Sequence, residues 1–273
     1  MRVCGETKAK IEQRRFSTLF FLLSTSLLLL FLVSHQAKAQ ESQNVIQNSS
    51  SQTVTLAAED SWPPFANQFG QGISHRLIEA AFKQAHIEVN SLVVPYSRAL
   101  MMAEKGAVDG VFNVTREAST EQRFVFGEMP LFVATASFYQ RKQRSLLAEN
   151  KWQIPKGSNV GVIKSYEYGD EFPELVKQRQ LNIVTVATQQ QLINLLLIGR
   201  IDAAVMFDLV AQENLQKMGV SDEVIAAFDN HSSQIYLAFS KENPKAALLA
   251  KALDQGLSML KENGQYQQLL SAN

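Results

Sequence analysis

The stretch Ala99-Leu100-Met101-Met102-Ala103-Glu104-Lys105-Gly106-Ala107-Val108-Asp109-Gly110-Val111-Phe112 decides the fold. Its first seven residues are strong helix formers. Gly106 can take the left-handed conformation that ends a helix, Asp109 suits a tight turn, and the apolar residues that follow read as a buried strand. The same unit returns 93 residues later, where Leu192 to Ile198 run into Gly199-Arg200-Ile201-Asp202 and then Ala203-Ala204-Val205. One helix-Gly-x-x-Asp-strand unit is ordinary in any alternating protein. Two in one chain argue for two similar lobes, each with its own parallel sheet.

The same alternation extends outward from both copies. Strands are expected at 53–58, 89–94 and 108–114 and, after the midpoint, at 160–163, 182–186 and 203–207. Helices are expected at 73–85, 97–105, 169–178, 189–198 and 209–218. In the first of them Ile73, Leu77, Ile78, Ala81 and Phe82 recur at helical spacing, and His75 is expected on its outer surface. Short strands alternating with helices of about ten residues predict an α/β fold with parallel sheets. Two long uninterrupted strands, 131–140 and 234–240, leave the two α/β runs, and only helix follows, at 246–263. A lone terminal helix needs a lobe to pack on, and the first lobe is the one left incomplete. The chain is therefore expected to cross from lobe 1 to lobe 2 and back through a two-strand hinge. Lobe 1 comprises 53–137 plus 238–273, and lobe 2 comprises 138–237.

The residues ahead of this body read differently. Arg2, Lys8, Lys10, Arg14 and Arg15 precede an uncharged 18-residue stretch from Phe16 to Val33 with 13 apolar residues, and Ala37-Lys38-Ala39 follows. That is the pattern of a secretory signal peptide, 1–39, cleaved after Ala39; a retained membrane anchor is the rival reading. Residues 40–52 are polar and aperiodic, a flexible leader. The whole chain of 273 residues has 26 basic and 26 acidic side chains, but without 1–39 it has 20 against 24, a net charge of −4. No basic footprint for nucleic acid remains. The lone cysteine, Cys4, lies in the leader, so neither a disulfide framework nor a thiolate metal site is available to the body.

Several motifs along the body resemble one family. Trp62-Pro63-Pro64-Phe65 follows the first strand, Gly106-Ala107-Val108-Asp109-Gly110 lies in lobe 1, and Phe126 to Leu131 (FGEMPL) leads into the first hinge strand. Val160-Gly161-Val162 opens lobe 2, Gly199 to Phe207 precedes Asp208, and Lys261-Glu262-Asn263-Gly264-Gln265-Tyr266 lies near the end. In this order and spacing the chain resembles the bacterial extracellular solute-binding proteins of family 3, the Venus-flytrap receptors of polar amino acid ABC transporters. The resemblance implies a type II periplasmic-binding fold and a monomeric periplasmic protein. It implies capture of a small polar solute, an amino acid or a relative of one, and delivery to an inner-membrane permease or a sensor. It also implies an Arg for the ligand carboxylate, matched by Arg116 in Asn113-Val114-Thr115-Arg116-Glu117 with Arg123 as a rival, and an acid for the ligand amine, matched by Asp208. Arg116 directly follows Thr115 here, a departure from the family's Thr-x-x-Arg spacing.

Ligands of open parallel sheets bind beyond the carboxyl ends of the strands. Candidate binding residues in such places are Glu59, Trp62, Phe65, Arg98, Thr115, Arg116, Ser165, Tyr166 and Asp208. An Arg grips a carboxylate with paired hydrogen bonds, an Asp receives an ammonium, and Trp62 and Phe65 supply apolar or cation–π walls. Four of them have a plainer alternative. Arg116 suits a surface ion pair with Glu117 or Glu121, Asp208 a helix cap, Trp62 lobe packing, and Arg98 a surface helix start. No nucleophile elbow, phosphate loop or complete dinucleotide motif appears, and His75, His86 and His231 show no metal spacing. Neither cofactor, metal nor catalytic residue is expected. The alternatives to a transport receptor are a dehydratase-like enzyme on the same fold, which would need an acid/base pair in the cleft, and a ligand-sensing subunit.

Overall fold

The computed structural model describes residues 52–271; the expected signal peptide, 1–39, and nearly all of the leader, 40–52, lie outside them. Gln52 is an exception, because it opens the first strand opposite Ile87. The first run is β1 (Gln52–Glu59), β2 (Ser61–Trp62), β3 (Ala66–Asn67), α1 (Ile73–Gln84), β4 (Ile87–Val94), α2 (Tyr96–Glu104), β5 (Gly110–Thr115), α3 (Ala118–Glu121), β6 (Phe124–Phe126) and β7 (Phe132–Arg141). The second is β8 (Asn159–Ile163), α4 (Phe172–Arg179), β9 (Asn182–Val186), α5 (Gln189–Leu197), β10 (Ala203–Phe207), α6 (Asp208–Met218) and β11 (Val224–Ser240). Helices α7 (Ala246–Glu262) and α8 (Gln265–Ser271) close the described chain.

The large sheet has the order β4-β1-β5-β11-β7-β10-β8-β9, with β6 added on β11. Its two ends are parallel, β4-β1-β5 and β10-β8-β9. The long strands β7 and β11 are antiparallel to each other and to the parallel strands that flank them. The two expected sheets are thus one continuous ladder, fused by the pair of long strands. Strand β11 starts at Val224, ten residues before the expected boundary, because two bulges let the polar run Asp229-Asn230-His231-Ser232 keep pairing with β7. Asp, Asn and Ser are turn-forming residue types; bulges absorb the run without ending the ladder.

The repeated unit does the same job twice. Gly106 and Gly199 end α2 and α5 with φ of 67° and 73°. Asp109 Oδ2 accepts from the backbone N–H of Thr55 on β1 at 2.7 Å, and Asp202 Oδ2 accepts from Asn159 on β8 at 2.9 Å. Each aspartate therefore ties its own unit to the neighbouring parallel strand, a role across the sheet rather than within its turn. Helix α7 packs on α1 as a terminal helix must. The contact is close enough that a Cβ on Gly256 would lie 2.1 Å from the Ala81 carbonyl oxygen. Tyr266 of α8 donates its hydroxyl to the Leu131 carbonyl at 2.5 Å, holding the C-terminal helix against the start of β7.

His75 is a correction to the outer-surface expectation: it is 2% exposed, 4.7 Å from the Phe112 ring, and neither ring nitrogen has a hydrogen-bond partner among the described residues. The helical spacing of Ile73, Leu77 and Ile78 locates the buried face correctly, but Ser74 and His75 are buried as well, where α1 faces β5. Burial pulls the imidazole down to about 4, so it is neutral at physiological pH.

Candidate functional site

The carboxyl ends of β1, β5, β8 and β10 converge, as an alternating parallel sheet requires, and around them lies a cavity of about 10 Å³. Its lining is Glu59, Trp62, Tyr96, Asn113 and Thr115 from the β4-β1-β5 side and Tyr166, Glu167 and Phe207 from the β10-β8-β9 side. Each half supplies its residues by a local device. Glu59 is the last residue of β1 and is 2% exposed. Asn113 sits at φ 58° where β5 carries one extra residue against β11, a bulge that re-aims its side chain, and Asn tolerates that backbone better than most residues. Asn113 Oδ1 accepts from Ser74 Oγ at 2.5 Å, which leaves Nδ2 to donate to Glu59 Oε1 at 3.2 Å.

Opposite them, Ser165 turns the chain after β8 with φ 65°. Tyr168 anchors the turn: its hydroxyl accepts from the Ile163 N–H at 2.8 Å, and its carbonyl accepts from Asn230 Nδ2 at 2.8 Å. Between these fixed points Tyr166 and Glu167 are carried across the cavity. Tyr166 donates its hydroxyl to Glu59 Oε2 at 2.9 Å, and Glu167 Oε2 accepts from Tyr96 at 3.0 Å and from Thr115 at 3.3 Å. Two further bonds lie beside the cavity: Gly169 N–H donates to Glu117 Oε1 at 2.9 Å, and Ala118 N–H donates to Asp170 Oδ1 at 3.2 Å. The segment from Tyr166 to Asp170 is thus the bridge between the two halves.

The electrostatics follow from burial. Loss of water pushes the Glu59 carboxyl up to about 8, against the hydrogen bonds of Tyr166 and Asn113, with Asp60 and Glu167 adding repulsion. Burial also pushes Glu167 up to about 7; Tyr96 and Arg123 oppose this and Glu117 reinforces it. The Tyr96 and Tyr166 hydroxyls are raised well above the usual phenol range by burial and by these carboxylates. The walls are aromatic: Tyr96 and Tyr166 meet edge to face at 5.2 Å, and Trp62 and Phe207 at 5.1 Å.

Of the residues singled out in sequence, Glu59, Trp62, Thr115 and Tyr166 line this cavity. Phe65 stands behind Trp62, 4.6 Å from its ring and stacked on Phe132 at 4.3 Å. Ser165 lines a neighbouring, open cavity of about 450 Å³, together with Glu117, Arg123 and Glu167. Arg98 is exposed on α2. Arg116 turns away: its Nε donates to Glu121 at 2.7 Å and its Nη1 to the Gly127 carbonyl at 3.3 Å. Arg123 is held by Glu104. Asp208 is the first residue of α6, with Phe207 at the N-cap position, and accepts from the Tyr139 hydroxyl at 2.9 Å. Tyr96, Asn113, Glu167 and Phe207 were not singled out. A signal existed for Asn113, a polar residue inside the apolar run Val111-Phe112-Asn113-Val114, and for Tyr96, two residues from Arg98. For Glu167 the signal is its place in the segment 165–168, just beyond the carboxyl end of β8. Among the described residues no group of His, Cys, Asp and Glu is arranged to hold a metal, and no helix is long and apolar enough to cross a membrane.

The family model for bacterial extracellular solute-binding proteins, family 3, matches residues 54–272. Among solved structures, an amino acid ABC transporter substrate-binding protein of Streptococcus pneumoniae bound to L-arginine is 19% identical with a TM-score of 0.66, covering 81% of this chain and 94% of its own. A histidine kinase sensor domain with similarity to periplasmic binding proteins is 18% identical with a TM-score of 0.69, covering 80% and 93%. An ancestral amino acid-binding protein, a precursor of cyclohexadienyl dehydratase, is 19% identical with a TM-score of 0.66, covering 80% and 93%. At such identities these likenesses concern the fold alone. No curated protein matches the chain.

Proposed function

We propose, from the premise that the chain belongs to the bacterial extracellular solute-binding proteins of family 3, that it captures a small polar solute by closing two lobes around the cavity at Glu59. Residues 53–137 with 238–273 form one lobe, 138–237 form the other, and β7 and β11 are the hinge. The observation that carries this reading is the bridge itself: Tyr166 and Glu167 reach from one half to Glu59, Tyr96 and Thr115 on the other around the cavity they share. Contacts made by both halves at once exist only when the halves are together, so a solute that joins them shifts the population to the closed form. A cavity of about 10 Å³ admits about one water molecule. Entry of a solute therefore requires the Tyr166–Glu167 segment to draw back. The closed protein then docks on a membrane permease or a sensor in the periplasm, after export directed by the segment ahead of Gln40.

The experiment is a thermal-shift screen of polar solutes, followed by fluorescence transfer between labels on α2 and α5. A solute that raises the melting temperature and shortens the label distance supports the reading; stabilisation without any change in distance refutes closure.

An acid/base enzyme on this fold is the second reading, favoured by one observation: two buried carboxyls with raised pKa share the cavity. Glu59 is engaged on both of its oxygens, which suits a fixed acceptor better than a proton shuttle. Mass spectrometry of each stabilising solute after incubation separates the two, since a receptor returns its solute unchanged.

A further inference from the structure

We propose that the solute of this cavity is an organic amine cation that carries no carboxylate. The inference rests on the binding reading above and names its substrate class. The first argument is an inventory of charge. The described lining contains two carboxyls, Glu59 and Glu167, and no Arg, Lys or His. The cations that could answer a ligand carboxylate are committed elsewhere: Arg116 to Glu121 and the Gly127 carbonyl, Arg123 to Glu104 on the wall of the neighbouring cavity. An α-amino acid placed here would set its carboxylate beside two carboxyls without a counter-ion, so it could enter only with both of them held protonated, because juxtaposed like charges are strongly unfavourable.

The second argument is the inventory of hydrogen bonds. Tyr166 and Asn113 donate to Glu59, and Tyr96 and Thr115 donate to Glu167. The wall's hydroxyl and amide donors already serve the two carboxyls, and a new anion would have to strip them away. An ammonium has the opposite fit. A carboxylate offers about four lone-pair sites, Glu59 has two bonds, and a cation's N–H groups can take the rest. Burial pushes both carboxyls up, at Glu167 against the opposing charge of Arg123; a cation between them would bring them back to their charged form.

The third argument is the wall. Tyr96, Tyr166, Phe207 and Trp62 surround the carboxyls with ring faces and edges 5.1 to 6.3 Å apart in neighbouring pairs. Aromatic cages of this kind attract alkylammonium groups through the ring quadrupole. Trp62 adds a donor that points to a ligand independently of the charges: it lines the cavity, is 2% exposed, and its Nε1–H has no acceptor among the described residues. A buried N–H without a partner is costly, and an uncharged oxygen or nitrogen on the ligand would satisfy it.

The test uses matched pairs that differ only in a carboxylate: agmatine against arginine, putrescine against ornithine, ethanolamine against serine, each titrated calorimetrically into the purified protein at pH 7.5. At least one amine is expected to bind, with its amino acid counterpart at least tenfold weaker, and Glu59→Gln and Glu167→Gln are each expected to weaken the amine at least tenfold. An amino acid that binds as well as its amine overturns the inference, and so does failure of every amine, or indifference of amine binding to both substitutions. The wild-type pair comparison stands even if a variant does not fold. The binding reading fails separately: if amino acids or sugars bind and draw the labelled halves together, that reading holds while the cation inference falls, and if no solute of any class binds, both fall.

Discussion

Glu59→Gln should change how the protein's stability depends on pH, and by a calculable amount. Glu59 is buried at the end of β1, and its carboxyl is pushed from the ordinary 4.5 to about 8, chiefly by burial. A folded-state pKa above the unfolded one means that the folded protein holds a proton the unfolded chain has released. Stability from this group is therefore complete below about pH 4.5 and is lost as pH rises towards 8. Each pH unit in that window costs about 1.4 kcal/mol, or about 3 kcal/mol between pH 5 and 7. For a body of this size that corresponds to a melting-temperature change of roughly 6–12 °C. Gln keeps the shape and cannot ionise: its oxygen accepts from Asn113, and its amide can donate to the Tyr166 hydroxyl, which reverses its role. The groups that face Glu59 are Tyr166, Asn113, Asp60 and Glu167. Glu167, which adds repulsion at Glu59, titrates in the same window in both proteins, so the difference between them reads Glu59 together with that repulsion. Scanning calorimetry from pH 5 to 7 is expected to show wild type losing several degrees relative to Glu59→Gln. Parallel curves would refute the claim that burial holds this carboxyl in its neutral form.

The other predictions concern the scaffold and Arg116. Gly256→Ala drives a Cβ to 2.1 Å from the Ala81 carbonyl oxygen and is expected to cost about 2–3 kcal/mol by overpacking, read as a fall in the urea midpoint at constant slope. His75, pulled down to about 4 by burial, acts with the opposite sign to Glu59. Stability from its neutral form is present above pH 6.5 and lost as pH falls towards 4, so His75→Leu is expected to recover about 1–2 kcal/mol at pH 5 relative to pH 7 in denaturant titrations. Arg116→Ala separates the sequence expectation from the structure. Its half-exposed pair with Glu121 contributes less than about 1 kcal/mol, and calorimetry should find solute affinity within threefold of wild type, whereas an arginine gripping a ligand carboxylate would cost far more.

The same two classes of information run through the whole molecule. Helix-Gly-x-x-Asp-strand, written twice, was enough to place the parallel strands, because periodicity and turn chemistry are local properties of the backbone. It did not show that Asp109 and Asp202 reach across to Thr55 and Asn159, since a hydrogen bond between distant residues leaves no spacing to read. The 224–233 portion of β11 was hidden for a related reason: a polar run with bulges looks like a loop until a partner strand supplies the missing pairs. At the site, Glu59, Trp62, Thr115 and Tyr166 were legible because the ends of parallel strands are where ligands bind, and those ends could be counted along the chain. The pairing of Glu167 with Tyr96 was not, because the two stand 71 residues apart and meet only in the fold. Arg116 shows the converse: an arginine at a strand end invites a ligand role, but here its guanidinium bonds to Glu121 and the Gly127 carbonyl.

By itself the sequence determined the alternation, the duplication, the order of strands and helices and the family. These depend on side-chain period and on residues whose backbone preferences are intrinsic. Which carboxyls are buried, which cations are turned away from them, and hence the sign of charge the cavity accepts were decided only by the tertiary structure. Burial and charge compensation are properties of the two halves brought together, and no segment of the chain possesses them alone.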